Sequence, residues 1–180
     1  EIGNRNTIRE FCTFNLGTVQ DEGVTRLGND NWIMAYVHLA HDCQVGNNTI
    51  FANNAQLAGH VHIGDWVILG GFTLIHQFCR VGAMTGFGSH ISQDIAPFLM
   101  VSGVPASTYG INAEGLRRRG FTPEQITDIR RAYKTVYRSG LSLEDAKQKL
   151  LEEADSAPAS ADYIRQMYAF IESAQRGLLR

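Results

Sequence analysis

The sequence predicts a mainly β fold: a parallel β-helix built from hexapeptide repeats, followed by a C-terminal α-helical region. Two observations support this prediction. Apolar residues recur at every sixth position through the first half of the chain, and the apolar pattern then changes to the spacing of amphipathic helices. We place the solenoid at residues 1–108 and the helical domain at residues 109–180.

The six-residue repeat begins at Ile2, Ile8 and Phe14 and is interrupted by a polar stretch from Gly17 to Arg26. It then returns without slipping at Leu27, Ile33, Leu39, Val45, Phe51, Leu57, Ile63, Leu69, Ile75, Val81 and Phe87. A hexapeptide forms one flat side of a triangular coil, so a full turn takes about 18 residues and rises roughly 4.8 Å along the axis. Residues separated by three repeats should therefore stack on one another.

Other positions of the repeat fit this geometry. Glycine, asparagine or aspartate commonly follows the apolar residue, and these types tolerate the left-handed backbone of sharp corners. The fourth residue after the apolar one is small or β-branched and should also point inward. Cys12, Cys43 and Cys79 all hold this inward place, so we expect packed, reduced thiols and neither a disulfide framework nor a thiolate zinc site.

Beyond Phe87 the period fails, and Ser92 to Phe98 would be the exit from the solenoid because Pro97 cannot continue a ladder. The capping box from Thr122 to Gln125, with proline at the first helical position, predicts a helix that ends near Gly140. Two further helices are predicted: one capped by Ser142 with Asp145 and running toward Ala154, and one from Ala161 to Gln175 after a loop with Pro158. These helices should cover an end of the solenoid or a neighbouring subunit.

Composition limits the classes of function. The formal net charge of the 180 residues is −2, with no long basic run, so nucleic acid is not an expected partner. No apolar run reaches the roughly 18 residues of a membrane span, and the first residues do not read as a signal peptide. We expect a soluble, cytoplasmic protein without a membrane span.

Stacking of the coils assembles a candidate site. Leu39, Leu57 and Ile75 are 18 positions apart, so their hexapeptides share one face of the prism. This puts His41, Gly59 and Gln77 in one column, with His60 and His76 one place to either side and His38 at the corner before them. A histidine followed by a carboxylate, here Asp42, is typical of a general base and its orienting partner.

Other interpretations of the same residues stay open. His41 alone could be a surface histidine, and Asp42 could be a turn residue. The gamma-class carbonic anhydrases, which share the β-helix, bind zinc through three histidines, but Gln77 and the lack of an HxxxH pair disfavour a metal here. The run from Arg117 to Arg119 could be a solvated basic segment or a phosphate site.

Five segments of the chain resemble the UDP-N-acetylglucosamine O-acyltransferase family of the left-handed β-helix hexapeptide-repeat acyltransferases, which starts lipid A biosynthesis. They are HLAHDC at 38–43, NNAQLAGHV at 53–61, IHQFC at 75–79, NAEGLRRRGF at 112–121 and QRGLLR at 175–180. The resemblance covers nearly the whole chain. It implies the left-handed β-helix and transfer of an R-3-hydroxyacyl chain from acyl carrier protein to the 3-hydroxyl of UDP-N-acetylglucosamine.

The resemblance also implies roles for individual residues. His41 would be the general base, Asp42 its orienter, and the backbone N–H of Gly59 the oxyanion donor. The residues expected to line the substrate cleft are His38, His60, His76 and Gln77, and those expected to handle the nucleotide and its phosphates are Asn112, Glu114, Arg118 and Arg119. The implied assembly is a homotrimer with active sites between subunits. The reaction would need no metal and no cofactor beyond the phosphopantetheine of acyl carrier protein.

The chain departs from the family pattern in two places. Several coils that begin the family's solenoid are missing, so the chain is expected to start within the solenoid. The last coil is about two residues short, and the family measures acyl chain length there; Ser89 and His90 are candidates for this role, and the sequence does not assign the preferred chain. A hexapeptide transferase that uses coenzyme A and a non-catalytic trimeric scaffold are the alternative functions.

Overall fold

A computed structural model describes all 180 residues and shows a β-solenoid with four helices. The strands of the solenoid proper are two residues long, and the final two are longer. They are β1 (Thr7–Ile8), β2 (Thr13–Phe14), β3 (Arg26–Leu27), β4 (Trp32–Ile33), β5 (His38–Leu39), β6 (Gln44–Val45), β7 (Ile50–Phe51), β8 (Gln56–Leu57), β9 (His62–Ile63), β10 (Ile68–Leu69), β11 (Leu74–Ile75), β12 (Arg80–Val81), β13 (Met84–Thr85), β14 (His90–Ile91), β15 (Leu99–Ser102) and β16 (Ser107–Ile111).

The strands stack into three sheets, one for each side of the prism. The orders are β1-β4-β7-β10-β13-β15-β16, β14-β11-β8-β5-β2 and β12-β9-β6-β3. Every pairing is parallel except that of β15 with β16. Leu39 pairs with Leu57, and Leu57 with Ile75, so the register follows the predicted 18-residue turn. The predicted parallel β-helix with a C-terminal helical region is confirmed.

The core of the solenoid is formed by the second residue of each strand and by the inward residue four positions later. Ile33, Phe51 and Leu57 are completely buried, as are the inward thiols of Cys43 and Cys79. Cys12 is half-buried, and all three cysteines are unpaired. Burial raises the pKa of Cys43 and of Cys79 to about 11, so these thiols stay protonated near neutral pH.

The corners of the coil repeat with the same period. Every sixth residue from Asp30 to Phe78 has a φ between 56° and 66°. Asparagine and aspartate hold several of these corners, as predicted, but Trp66 and Phe72 occupy the same left-handed conformation. The register of the coil thus imposes this conformation even on residue types that rarely adopt it. Asp42 is one of these corner residues, with φ 60°.

Two coils depart from the regular turn. Phe14 pairs with Leu39, 25 positions later, and the additional residues form a loop outside the solenoid where the sequence is polar. We call residues 15–25 the corner loop. The second irregular coil is shorter, because Ile75 pairs with Ile91 after only 16 positions.

The sequence predicts that Phe87 holds the apolar position of the repeat, and the short coil makes this prediction wrong. Strand β13 begins two residues after Gly82, so Thr85 takes the inward strand position and pairs with Leu69. Phe87 is instead 75% exposed. Gly82 allows this tight corner because a β-carbon there would lie 3.0 Å from the backbone of Pro97. The buried hydroxyl of Thr85 forms a 2.8 Å hydrogen bond with the Thr73 hydroxyl inside the core.

The predicted exit from the solenoid at Ser92 to Phe98 is also wrong. Ile95 still forms a parallel bridge with Val81, and β15 then adds a strand to the seven-stranded sheet. Pro97 lies in the corner between these two pairings, where no ladder requires its missing N–H.

The four helices are α1 (Ala113–Arg118), α2 (Pro123–Tyr137), α3 (Leu143–Ser156) and α4 (Ala161–Glu172). The capping box of Thr122 with Gln125 is present, and Ser142 caps α3 as predicted. Helix α4 ends before the predicted Gln175, because the tail turns back to the solenoid and buried Asp94 accepts hydrogen bonds from the backbone of Gln175 and Arg176. No helix is both long and apolar enough to cross a membrane.

Candidate active site

The centre of the candidate site is the pair formed by His41 and Asp42, at the corner that follows β5. His41 Nδ1 lies 2.9 Å from Asp42 Oδ2, and the carboxylate is 1% exposed while the imidazole remains partly open to solvent. An ionised carboxylate can only accept a hydrogen bond, so Nδ1 carries the proton and Nε2 keeps its lone pair. This is the tautomer that a general base requires.

The corner loop holds the Asp42 carboxylate. The Thr18 backbone N–H donates to Oδ1 at 2.9 Å and to Oδ2 at 3.1 Å, and the Thr18 hydroxyl donates to Oδ2 at 2.7 Å. The Asp42 backbone N–H donates to the Thr25 hydroxyl at 2.9 Å. Burial opposes ionisation of this carboxyl, but the hydrogen bonds from His41 and Thr18 outweigh burial and lower the pKa of Asp42 to about 2.

Gly59 lies directly against the His41 ring. A β-carbon at Gly59 would be 2.6 Å from Cε1 and 2.7 Å from Nε2 of His41, so only glycine fits against the imidazole in this position. The coil-to-coil bonds on either side run from Ala58 to Ile75 and from His60 to His41, and the N–H of Gly59 donates to no acceptor in the structure. An unused backbone donor beside Nε2 is the arrangement that an oxyanion hole needs.

His60 is enclosed by this cluster and is not a lining residue of either groove described below. It is 8% exposed, its ring stacks on Phe78 at 4.6 Å, and it meets the His41 ring edge-on at 5.0 Å. His60 Nδ1 lies 2.8 Å from Asp21 Oδ2, on the corner loop. The hydrogen bond between Asp21 and His60 is the largest cause that lowers the pKa of the Asp21 carboxyl.

The ligand atoms of His41, Asp42 and His60 lie within 4.8 Å of one another, which is close enough to consider a metal. In this structure all three side chains are engaged in hydrogen bonds. Asp42 accepts from Thr18 and His41, and His60 Nδ1 faces Asp21. These hydrogen bonds fit an oriented base better than a set of cation ligands.

A groove of about 720 Å³ runs along the five-stranded sheet. His38 and His76 line it together with the apolar residues Leu74, Val104 and Pro105. The ring of His38 is fixed by a 2.7 Å contact between Nδ1 and the Thr13 hydroxyl. Gln77 is exposed beside His76 but is not among the lining residues of this groove. Of the proposed chain-length candidates, His90 lines the groove and Ser89 is buried within the coil.

A second groove, of about 1600 Å³, lies along the four-stranded sheet, and its lining residues include Asn112, Glu114, Arg118 and Arg119. Asn112 caps α1 by accepting from the Gly115 N–H. Glu114 pairs with Arg118 at 3.0 Å and also with Arg117. The Arg119 guanidinium lies 4.7 Å from the centre of the Trp66 ring, and burial lowers its pKa. Within one chain, these four residues line a different groove from His38 and His76.

Comparison with known proteins shows the family of this chain. The model of the UDP N-acetylglucosamine O-acyltransferase family, domain 2, matches residues 94–179, and that of the bacterial transferase hexapeptide matches residues 25–59. The acyl-[acyl-carrier-protein]–UDP-N-acetylglucosamine O-acyltransferase of Janthinobacterium sp. (strain Marseille) is 64% identical over 99% of this chain and 69% of its own length. The chain belongs to this acyltransferase family. The relative from Thiobacillus denitrificans is 58% identical over 100% of this chain and 69% of its own length.

Solved structures of the UDP-N-acetylglucosamine acyltransferases share the fold. The Moraxella catarrhalis enzyme superposes with a TM-score of 0.95 at 45% identity, over 99% of this chain and 69% of the other. The Francisella novicida enzyme gives a TM-score of 0.94 at 42% identity, over 99% of this chain and 65% of the other. The chain thus spans about two thirds of the length of these acyltransferases. The predicted family is confirmed.

Several residues of the site were not predicted from the sequence. They are Thr18, Asp21 and Thr25 on the corner loop and Phe78 beneath His60. The interruption of the repeat was the available signal for the loop residues, because added residues in an otherwise regular acyltransferase solenoid must leave the coil. The sequence did not show onto which corner they fold.

Proposed function

We propose that this chain transfers an R-3-hydroxyacyl group from acyl carrier protein to the 3-hydroxyl of UDP-N-acetylglucosamine, the first step of lipid A biosynthesis. The names of its relatives support an O-acyltransferase acting with these two substrates. The observation that carries the chemistry is the His41 and Asp42 pair beneath the free N–H of Gly59. Acyl transfer to a hydroxyl requires a base and an oxyanion donor close together, and here both lie beside Nε2 of His41.

In the proposed mechanism, His41 Nε2 takes the proton of the sugar hydroxyl as its oxygen attacks the thioester carbonyl. The N–H of Gly59 donates to the oxyanion that forms. When the tetrahedral intermediate collapses, the C–S bond breaks, and the imidazolium of His41 returns its proton to the departing thiolate. The products are the O-acyl sugar nucleotide and the free phosphopantetheine thiol. Base catalysis of this kind contributes about 10² to 10⁴ in rate.

Asp42 supports this step without touching the substrates. Because its pKa is lowered to about 2, the carboxylate is ionised throughout the range in which an enzyme would work. It keeps the proton on Nδ1 of His41 and stabilises the imidazolium that forms during the reaction.

We also propose that the reaction uses no metal and no cofactor other than the phosphopantetheine of the donor. A hydroxyl nucleophile activated by a base needs no Lewis acid when a thiolate is the leaving group. Because the proposed donor and acceptor are both cytoplasmic molecules, we place the enzyme in the cytoplasm. Activity that is unchanged by a chelator, with no stoichiometric zinc by elemental analysis, would support a metal-free reaction.

The two grooves suggest how the substrates bind. The apolar groove with His38 and His76 suits the acyl chain and its thioester. The groove with Arg118 and Arg119 suits the diphosphate of a sugar nucleotide. Since these grooves lie on different sheets of one chain, we propose a homotrimer in which one subunit supplies the histidines and its neighbour the arginines. The resemblance to the acyltransferase family implies the same assembly.

The test is an acyl-transfer assay with the complete protein and a series of 3-hydroxyacyl carrier proteins. We expect transfer to UDP-N-acetylglucosamine, and we expect His41→Ala to abolish it while light scattering still reports the trimer. Turnover with the coenzyme A thioester alone would instead favour the other hexapeptide transferases. Failure to bind the sugar nucleotide would favour the scaffold, and near-normal turnover by His41→Ala would exclude His41 as the base.

A further inference from the structure

The corner loop, residues 15–25, is the part of the solenoid that the proposed reaction leaves unexplained. We propose that Thr18 on this loop is the positioning residue of the His41 and Asp42 pair, and that the loop exists to hold that pair. This inference rests on the proposed function, because it assigns Thr18 a part in orienting the base.

The hydrogen bonds to Asp42 give Thr18 this role. The carboxylate is almost fully buried, and Thr18 supplies every donor to it other than His41. The Thr18 N–H spans both oxygens, and its hydroxyl donates to Oδ2, the same oxygen that accepts from His41 Nδ1. The rotation of the carboxylate about its own bond, and therefore the direction in which Oδ2 faces the imidazole, is set by Thr18.

The loop forms hydrogen bonds with the corners of two successive coils. Thr25 accepts the hydrogen bond of the Asp42 N–H, where the backbone has the left-handed φ of 60°. Asp21 contacts Nδ1 of His60, the corner residue of the next coil. The base is held between these two corners, because the His41 carbonyl accepts the N–H of His60. Three loop residues therefore fix the backbone and side chains on both sides of His41.

Folding of the solenoid does not require this loop. The coil closes with 18 residues between Leu39 and Leu57 and again between Leu57 and Ile75, without any insertion. Of the three apolar side chains of the loop, Leu16 and Val19 are 89% and 102% exposed and only Val24 is half-buried, so burial of the middle of the loop does not hold it in place. What anchors the loop at its middle is its set of polar contacts with the site, and those contacts are the physical reason to infer a functional role.

The experiment compares Thr18→Val with Thr18→Ser in the complete protein. Valine keeps the shape and the backbone N–H but removes the hydroxyl donor, whereas serine restores that donor. We expect kcat of Thr18→Val to fall by up to about 100-fold, because a misplacement of about 1 Å costs on the order of 10²-fold and the retained Thr18 N–H limits the displacement of Asp42. KM for UDP-N-acetylglucosamine should be unchanged, and Thr18→Ser should recover most of the lost kcat.

Thr49→Val is the matched control. The Thr49 hydroxyl donates to Asn31 Oδ1 at 2.7 Å, the same length as the bond from Thr18, but in the buried interior of the solenoid. Thr49→Val loses a buried hydrogen bond and Thr18→Val a partly buried one, so the thermal midpoints of both variants should fall. Only Thr18→Val should lose kcat beyond this loss of stability.

A second measurement does not depend on turnover. Nitrogen NMR of the imidazoles should show His41 protonated at Nδ1 in the unaltered protein and in Thr18→Ser, and a mixture of tautomers in Thr18→Val. An unaltered His41 tautomer together with unaltered kcat in Thr18→Val would overturn the inference, as would equal losses of kcat in Thr49→Val and Thr18→Val. An unaltered protein that transfers no acyl group would contradict the proposed function, while the NMR comparison would still decide the role of Thr18.

Discussion

Replacing Gly59 by alanine tests the geometry of the site most directly. The added β-carbon would lie 2.6 Å from Cε1 and 2.7 Å from Nε2 of His41, although two non-bonded carbon atoms approach only to about 3.5 Å. The imidazole must therefore retreat by roughly 1 Å, while the backbone N–H of residue 59 is retained. A misplacement of about 1 Å costs on the order of 10²-fold in rate, so we expect kcat to fall about 100-fold.

The assay is steady-state kinetics with 3-hydroxyacyl carrier protein, accompanied by thermal unfolding. Strain in the corner should also reduce stability by about 1–3 kcal/mol. Gly64→Ala is the control for stability, since its β-carbon would meet nothing closer than the Val81 carbonyl at 3.6 Å. We expect its thermal midpoint to be kept or slightly raised. A kcat of Gly59→Ala equal to that of the unaltered protein would refute the placement of His41 against Gly59, and with it the oxyanion assignment.

Two further predictions follow from the pKa and charge pattern. Because the pKa of Asp42 is lowered to about 2 from an unfolded value near 3.8, this carboxylate stabilises the fold above about pH 4, and its contribution is lost as the pH falls toward 2. Denaturant unfolding across this range should show a weaker pH dependence for Asp42→Asn, and equal slopes would contradict the prediction. Arg119→Ala should raise KM for UDP-N-acetylglucosamine about tenfold or more, the worth of one hydrogen bond to a charged group, whereas Arg117→Ala, whose guanidinium already pairs with Glu114, should leave it near normal. Equal effects of the two arginine changes in a binding titration would reject a specific role for Arg119.

The regular part of the fold could be predicted from the sequence because its physical cause is local and repeated. Each hexapeptide buries the same two positions, so a period of six fixes both the strands and the stacking of His41 beneath Gly59. The resemblance indicated a coil about two residues short, but the position of the slip before Phe87 could not be predicted, because an aromatic residue in the expected register satisfies the apolar pattern equally well. What decided the register was the tight corner at Gly82 and the hydroxyl bond that lets Thr85 enter the core, and both depend on residues from other coils.

The same distinction applies to the candidate site. The base, its carboxylate and the glycine above them follow from register, so the period of six is enough to place them together. Thr18 and Asp21 could not be placed, because a loop that leaves the coil has no period, and its polar residues look like those of any solvated turn. The grooves could not be separated either, since a linear sequence does not show that Arg119 packs against Trp66 on a different sheet from His38.

The two departures from the regular coil lie on opposite sides of the site along the solenoid axis, and they differ in physical effect. The added residues precede His41 and return over its corner, where they contribute hydrogen bond donors to a buried carboxylate. The two missing residues follow Val81, in the coil that carries His90 into the apolar groove. The coils between them keep the 18-residue register, which is the part that must be rigid for Gly59 to lie over the base. Variation in this solenoid is therefore confined to the positions where it can change how the base is held and how the groove is shaped, without moving the base and the oxyanion donor relative to each other.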